Sequence, residues 1–183
     1  YQDTGLPWVA PSPNLPTPAS AAVYPGQVIF EGTNLSEGRG TTQPFELFGA
    51  PYLDCKKILA DVENQIPGAH LRPVQFEPTS NKFQDQCCRG FQLHVTDALI
   101  YKPYLTSLRL LQSIIKHHGN EFAYKQPPYE YEFEKLPMDL ILGSRELRKA
   151  IEDQADLHQL ATQWEGPLNK YRNRCRSIQQ YAE

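Results

Sequence analysis

The chain has 183 residues, of which 40% are hydrophobic and 21% are charged, and its formal net charge at pH 7 is -3. This length corresponds to about one domain, and the composition is that of a chain with a hydrophobic core rather than a disordered segment. No run approaches the roughly 20 apolar residues of a transmembrane helix, and the mixed, slightly acidic charge argues against a nucleic-acid partner.

The first 25 residues are predicted to form an extended arm. Six of the 16 prolines lie between Gly5 and Pro25, and proline both fixes φ and removes a backbone donor. Trp8 lies inside this stretch, and a tryptophan ring is usually placed where it can be buried. The sequence therefore predicts that the arm, residues 1–25, packs on a domain formed by residues 26–183.

A glycine-rich loop follows the short apolar run 28–30. Five of the 11 glycines fall between Gly26 and Gly49. Glycine at this density allows positive φ angles and close approach of the backbone to another group, which is typical of a loop that surrounds a ligand.

Two strands are predicted in the middle of the chain, after a short amphipathic helix from Leu53 to Val62. The run 71–76 contains Pro73, which places it at the edge of a sheet or makes it short. The run 91–95 alternates between apolar and polar residues, as a half-buried strand does.

The second half of the chain is predicted to be mainly helical. Apolar spacing predicts a helix over residues 105–118 that ends at Gly119, and Ser144 is placed to cap the next helix. The spacing continues from 157 to 178, where Gly166–Pro167 should kink or divide the helix. These elements predict an α+β fold in which a small mixed sheet packs against several helices and the glycine-rich loop is exposed.

Three glutamates in the glycine-rich loop are candidate catalytic residues. Glu31, Glu37 and Glu46 lie within 16 positions, and paired carboxylates act as acid and base, or as nucleophile, in glycoside hydrolysis. The spacing alone does not assign these roles.

The same loop contains a candidate anion-binding arginine. Arg39 lies between Gly38 and Gly40, so its guanidinium could reach a carboxylate or phosphate bidentately while the bare backbone leaves room. An equally weighted alternative is a tight loop in which Arg39 pairs with a neighbouring glutamate and Asn34 bonds to loop backbone. The other candidate substrate-binding residues are Thr33, Asn34, Ser36, Thr41 and the two flanking glycines.

The sequence predicts neither a metal site nor a cofactor. The four cysteines form no CxxC pair, and the adjacent His117 and His118 cannot both face one metal from a helix. The motifs of serine hydrolases, zincins and P-loop enzymes are absent. One disulfide from Cys55 or Cys175 to the Cys87–Cys88 pair and four free thiols remain alternatives.

A group of aromatic residues follows the helix predicted over residues 105–118. These residues could stack on sugar rings, although packing beneath the helices is favoured. They are Tyr124, Tyr129, Tyr131 and Phe133.

Four segments together carry a family resemblance: residues 24–26, 30–41, 44–46 and 49–51, which read YPG, FEGTNLSEGRGT, PFE and GAP. In this order and spacing they resemble the signature of the NamZ-type exo-β-N-acetylmuramidases, a family of bacterial peptidoglycan-recycling glycosidases. Isolated positions along nearly the whole chain, from Trp8 to Arg174, are similar to the family pattern too.

The resemblance implies a two-lobed protein of which this chain is the C-terminal lobe. The N-terminal lobe of the family is Rossmann-like and holds the main catalytic glutamate. The implied activity is release of N-acetylmuramic acid from the non-reducing end of peptidoglycan fragments, with Arg39 near the lactyl carboxylate. The implied partners are that sugar or muropeptide and the N-terminal lobe, without which the chain should be inactive. The implied location is the periplasm or the cell exterior, with the cytoplasm as the alternative.

Two other functions remain open on the sequence. One is a noncatalytic module that binds muropeptides or another glycan. The second is a docking domain whose loop contacts another protein. A lobe of a cleft should expose an apolar patch near the loop, whereas an independent binding module should not.

Overall fold

The structure, a computed structural model, describes residues 4–180. In chain order, the elements are helix α1 (Pro18–Gln27), a 3-10 helix (Val28–Gly32), strand β1 (Leu47–Ala50), helix α2 (Cys55–Val62), strands β2 (Ala69–Phe76) and β3 (Cys88–Val95), and helices α3 (Pro103–His118), α4 (Pro137–Leu142), α5 (Arg145–Glu152) and α6 (Leu157–Arg176).

The three strands form one antiparallel sheet in the order β1-β3-β2. Phe91 on β3 pairs with Phe48 on one side and with Pro73 on the other. The prediction that β2 lies at an edge is confirmed, as is the α+β fold class. The sheet is antiparallel throughout, however, and not mixed.

The core lies between the sheet and the first three helices. The rings of Phe30, Phe48 and Phe91 are fully buried, with centroids 5.0 Å and 5.6 Å apart along the series. Helices α1 and α2 both pack on α3 and on β3. Each phenylalanine comes from a different element, so the cluster links the glycine-rich region to the sheet.

The prediction of an extended arm is wrong for its last part, because residues 18–25 are helical. Thr17 caps α1 through its side chain, which accepts a hydrogen bond from the backbone of Ser20 at 3.0 Å. Pro18 occupies the first turn, where its missing N–H costs nothing. Ahead of this helix, Leu15 packs against the core.

The predicted helices α2, α3, α5 and α6 are confirmed, with Asp54 and Ser144 as the side-chain caps of α2 and α5. Helix α6 continues through Pro167 rather than dividing there. From residue 165 to residue 180 its side chains are exposed, apart from the half-buried Cys175. Sequence reasoning missed the short elements β1 and α4.

The glycine-rich loop is more buried than predicted. Thr33, Ser36 and Glu37 are each no more than 3% exposed, because residues 33–36 pair with β1 on one side and with residues 123–124 on the other. Residues 39–43, together with Glu31 and Asn34, are the part of the loop that reaches the surface.

Candidate functional site

The loop that holds the candidate residues is fixed by two bridges. Ser36 exchanges backbone hydrogen bonds with Gly49 at 2.8 Å and 2.9 Å. Thr33 pairs with Tyr124 on the opposite side. Because both neighbours belong to packed segments, the loop presents its side chains from a rigid frame.

Gly38 and Gly40 are required by the backbone of this loop. Their φ angles are 78° and 81°, in the left-handed region that favours glycine. A Cβ on Gly40 would lie 2.5 Å from the Ser80 carbonyl oxygen, and one on Gly38 would lie 2.5 Å from that of Leu47. The two glycines thus set the path on which Arg39 lies.

Four charged side chains form what we call the ionic cluster: Glu31, Glu37, Arg39 and Lys82. Arg39 Nη2 donates to Glu31 Oε1 at 2.5 Å, and Arg39 Nε lies 3.1 Å from Glu37 Oε1. Lys82 Nζ donates to Glu37 Oε2 at 2.9 Å. Two carboxylates and two cations make the cluster formally neutral.

Exposure differs strongly within the ionic cluster. The side chain of Glu37 is 3% exposed, whereas those of Glu31 and Arg39 are 18% and 28% exposed. Desolvation opposes the charge on Arg39, but bonds to Glu31 and the charges of both glutamates outweigh it and raise its pKa. Burial lowers the pKa of Lys82 despite its bond to Glu37. Arg39 and Glu31 therefore form the accessible edge of the cluster.

The geometry contains the arginine half of the self-paired alternative, whereas the backbone that Asn34 binds belongs to another segment. Arg39 bonds to two glutamates, and Asn34 bonds to backbone: its Nδ2 donates to the carbonyl of Glu121 at 2.8 Å and its Oδ1 accepts from the amide of Ala123 at 3.1 Å. The hydroxyl of Tyr52 donates to the same Oδ1 at 2.8 Å. Asn34 thus joins the loop to residues 121–123.

The hydroxyl candidates also bond within the loop. Thr33 donates to the carbonyl of Phe30 at 2.8 Å, Ser36 accepts from the amide of Gly38 at 3.2 Å, and Thr41 donates to that glycine's carbonyl at 2.6 Å. These bonds shape the loop from inside.

Glu46 lies apart from the ionic cluster in its bonding. Its Oε1 accepts from Ser20 Oγ at 2.8 Å and from Thr17 Oγ1 at 3.0 Å, at the start of α1. The side chain is 7% exposed. The structure therefore brings Glu31, Glu37 and Arg39 together and ties Glu46 to the N-terminus of a helix.

Sequence reasoning did not place Lys82 or Tyr129 beside the loop glutamates. The Tyr129 hydroxyl donates to Glu31 Oε2 at 3.3 Å, so both oxygens of Glu31 have partners. A lone lysine 45 positions after Glu37 gives no local signal. Tyr129 was recognised only as one of several aromatic residues.

The aromatic group splits between the core and the surface. Tyr124 packs against the core, but Tyr131 is 94% exposed and Phe133 is 73% exposed. The prediction that these rings pack beneath the helices is therefore wrong for the last two. They supply exposed apolar surface near the loop.

The adjacent histidines have hydrogen-bond partners, and the cysteines form no disulfide. His117 Nε2 lies 2.8 Å from Asp61 Oδ2, and the buried His118 accepts a hydrogen bond from the amide of Asp54 at 3.1 Å. All four cysteines are free thiols. Across residues 4–180, no group of three His, Cys, Asp or Glu side chains is arranged to hold a metal ion. Over the same range, no helix is long and apolar enough to span a membrane.

Comparison with known proteins identifies the family. A family profile described as exo-beta-N-acetylmuramidase NamZ, C-terminal, matches residues 22–181. The chain belongs to the NamZ family, as a C-terminal domain. It is 36% identical over 172 residues to the peptidoglycan beta-N-acetylmuramidase NamZ of Bacillus subtilis (strain 168). The aligned region covers 93% of this chain and 40% of that protein. The chain thus spans less than half the length of this curated NamZ relative.

Two solved structures share the fold of this NamZ domain. Both are DUF1343 family proteins from Bacteroides fragilis NCTC 9343. One superposes with a TM-score of 0.84 at 23% sequence identity, and the superposed region covers all of this chain and 47% of the Bacteroides chain. The second has a TM-score of 0.61 at 21% sequence identity, and the superposed region covers 95% of this chain and 44% of the second Bacteroides chain.

Proposed function

We propose that the chain is the C-terminal lobe of an exo-acting glycoside hydrolase that releases N-acetylmuramic acid from the non-reducing end of peptidoglycan fragments. The observation that carries the proposal is the match of an exo-beta-N-acetylmuramidase NamZ profile along almost the whole chain, together with a B. subtilis relative named a peptidoglycan beta-N-acetylmuramidase. On this proposal the N-terminal lobe forms the second wall of the cleft, and the protein works in the periplasm or outside the cell.

The bonding of the three glutamates supports a substrate-binding role for this lobe rather than an acid–base role. Both oxygens of Glu37 are held by cations, and both oxygens of Glu31 have donors. Glu46 accepts from two hydroxyls. A general acid or base must reach the reacting atoms, so we assign the catalytic carboxylate to the N-terminal lobe.

Arg39 is the group on this lobe that suits the substrate best. N-acetylmuramic acid carries a lactyl carboxylate, and a guanidinium N–H forms a charge-assisted hydrogen bond to a carboxylate oxygen. The two ion pairs of Arg39 use Nε and Nη2. Nη1 therefore donates to neither glutamate. Its 28% exposure lets a ligand reach it.

The test compares this chain alone with a protein that carries it behind a NamZ-type N-terminal lobe. The substrate is a chromogenic β-glycoside of N-acetylmuramic acid. We expect activity only from the two-lobed protein, and at least a tenfold lower kcat/KM for Arg39→Ala, because one charged hydrogen bond contributes more than about 1.4 kcal/mol. Arg172→Ala, on the exposed part of α6, is the matched control and should stay within twofold.

Two outcomes count against parts of the proposal. A two-lobed protein that is inert but binds muropeptides would favour the noncatalytic binding module. Full activity of a folded Arg39→Ala variant would remove this residue from the cleft while leaving the hydrolase assignment intact.

A further inference from the structure

A two-residue hairpin projects beside the ionic cluster. Tyr129 and Glu132 exchange backbone hydrogen bonds at 2.9 Å and 3.0 Å, with Glu130 and Tyr131 at the tip. The hydroxyl of Tyr129 bonds to Glu31 at 3.3 Å. This single contact connects the hairpin to the accessible edge of the cluster.

A carboxylate at the end of the hairpin binds the backbone of the three residues that follow it. Glu132 Oε1 accepts three backbone hydrogen bonds, from Phe133 at 3.0 Å, Glu134 at 2.9 Å and Lys135 at 3.2 Å. Hydrogen bonds to the charged form favour ionisation, and they lower the pKa of Glu132. The exposed rings of Tyr131 and Phe133 therefore lie on a segment that is already ordered, which reduces the entropy lost on binding.

A groove with both polar and apolar lining, which includes Leu136 and Leu140, begins directly after the hairpin in the chain. It has a volume of about 800 Å³ and starts at Glu134 and Lys135, directly after Phe133. Farther along, it is lined by Asp139, Ser144 and Arg148, where Arg148 Nε lies 2.5 Å from Asp139 Oδ1. Flat rings followed by a groove of charged and hydroxyl groups match a sugar, which offers C–H faces to aromatic rings and hydroxyls to polar groups.

We propose that Tyr131 and Phe133 form a saccharide-binding subsite for the part of the glycan on the reducing side of the scissile bond. The inference rests on the proposed function, since it takes the ionic cluster as the edge of the cleft. A protein partner fits the hairpin less well, because the charged residues Glu130, Glu132, Glu134 and Lys135 alternate with or follow the two aromatic residues in the chain, whereas the centres of protein interfaces are depleted of charge.

The test separates an effect on the binding of long substrates from an effect on the cleavage step itself. The two-lobed protein and its Tyr131→Ala and Phe133→Ala variants are assayed on the chromogenic monoglycoside and on a glycan strand of at least four sugars. We expect KM for the strand to rise about fivefold for each ring removed, with the monoglycoside unchanged within twofold. Tyr131→Trp should keep the strand KM low, and Tyr171→Ala, an exposed tyrosine on α6, should change nothing.

Equal losses on both substrates, or no loss on either, would overturn the subsite. If the hairpin contacted the N-terminal lobe instead, the variants would cleave both substrates less efficiently and their melting temperature would fall. If the two-lobed protein cleaves neither substrate, the proposed function fails, and binding of glycan strands to this chain alone still decides the inference. Binding that weakens in a variant carrying both Tyr131→Ala and Phe133→Ala supports the subsite, and binding that does not weaken overturns it.

Discussion

Lys82 Nζ lies 2.9 Å from Glu37 Oε2, and its other two hydrogen bonds, also 2.9 Å long, go to the backbone carbonyls of Phe30 and Leu35. An ammonium group has three donors, so each one has a partner. Lys82 therefore connects the segment after β2 to both ends of the 30–37 segment through hydrogen bonds. The ionic cluster depends on this lysine for its buried half.

Replacing Lys82 should destabilise the fold strongly. In Lys82→Met, Glu37 keeps only its contact with Arg39 while its side chain stays buried. Breaking a buried ion pair from one side costs about 3 kcal/mol or more. Urea denaturation should show this loss in the free energy of unfolding.

Lys57→Met is the matched control for this prediction. Lys57 is 58% exposed and 3.8 Å from Asp54, so its loss should change stability by about 0.5 kcal/mol or less. Adding Glu37→Gln to Lys82→Met should recover part of the loss, because the uncompensated charge is removed. Equal stability of the two lysine variants would show that the cluster does not hold the loop.

Gly40→Ala tests the path of the loop against a glycine with the same conformation and free space. Gly143 has a φ of 72° with no atom within 4 Å of its Cβ position, so Gly143→Ala should cost only about 1 kcal/mol of backbone strain. Gly40→Ala adds the clash with Ser80 and should cost about 3 kcal/mol. The two midpoints of urea denaturation measure the difference, and similar midpoints would contradict the tight approach.

The sequence predicted the elements whose signals are local. Asp54 and Ser144 precede apolar spacing, and each caps the helix expected of it. The arm was misinterpreted because Pro18 was counted as a breaker, although proline at the first turn starts a helix. The apolar spacing of α6 predicted a helix correctly, but spacing does not tell whether its apolar face is covered.

The candidate site was predictable only in part, because some of its residues are brought together by tertiary structure and not by local sequence. Glu31, Glu37 and Arg39 lie within nine positions, so the sequence could bring them together. Lys82 reaches them only because β2 and the segment after it return to the loop, which is a tertiary effect. The exposure of Phe133 likewise depends on a hairpin that the local pattern did not reveal.

The adjacent thiols Cys87 and Cys88 should differ widely in reactivity. Cys87 is exposed and Cys88 is buried, and burial raises the pKa of Cys88 to about 11. The thiolate is the reactive form, so Cys88 should react with iodoacetamide at pH 8 at least about 100-fold more slowly. Mass spectrometry of Cys87→Ser and Cys88→Ala variants follows each thiol separately.

Unfolding provides the control for the thiol experiment. In urea, both cysteines should react at similar rates, because the protection of Cys88 comes from the fold. Fast labelling of Cys88 in the native protein would contradict its burial at the end of the central strand.

Asp61 should make stability depend on pH in acid. Desolvation disfavours its charge, but bonds from Lys116 at 3.0 Å, His117 at 2.8 Å and Ser113 at 3.1 Å outweigh it and lower its pKa. The folded state then binds the proton more weakly than the unfolded chain does. The stabilisation is full above the ordinary aspartate pKa of about 4 and is lost as pH falls through the lower folded value.

Asp61→Asn measures this contribution directly. At pH 7 we expect the variant to be less stable by about 1 kcal/mol, a modest value because Lys116 is half exposed and water screens the pair. At pH 2 to 3 the gap between the variant and the parent chain should narrow, since the parent's carboxylate is then increasingly protonated. Urea denaturation at both pH values tests the sign, with Asp153→Asn as the control for loss of an exposed carboxylate. A gap that widens in acid would contradict a lowered pKa of Asp61.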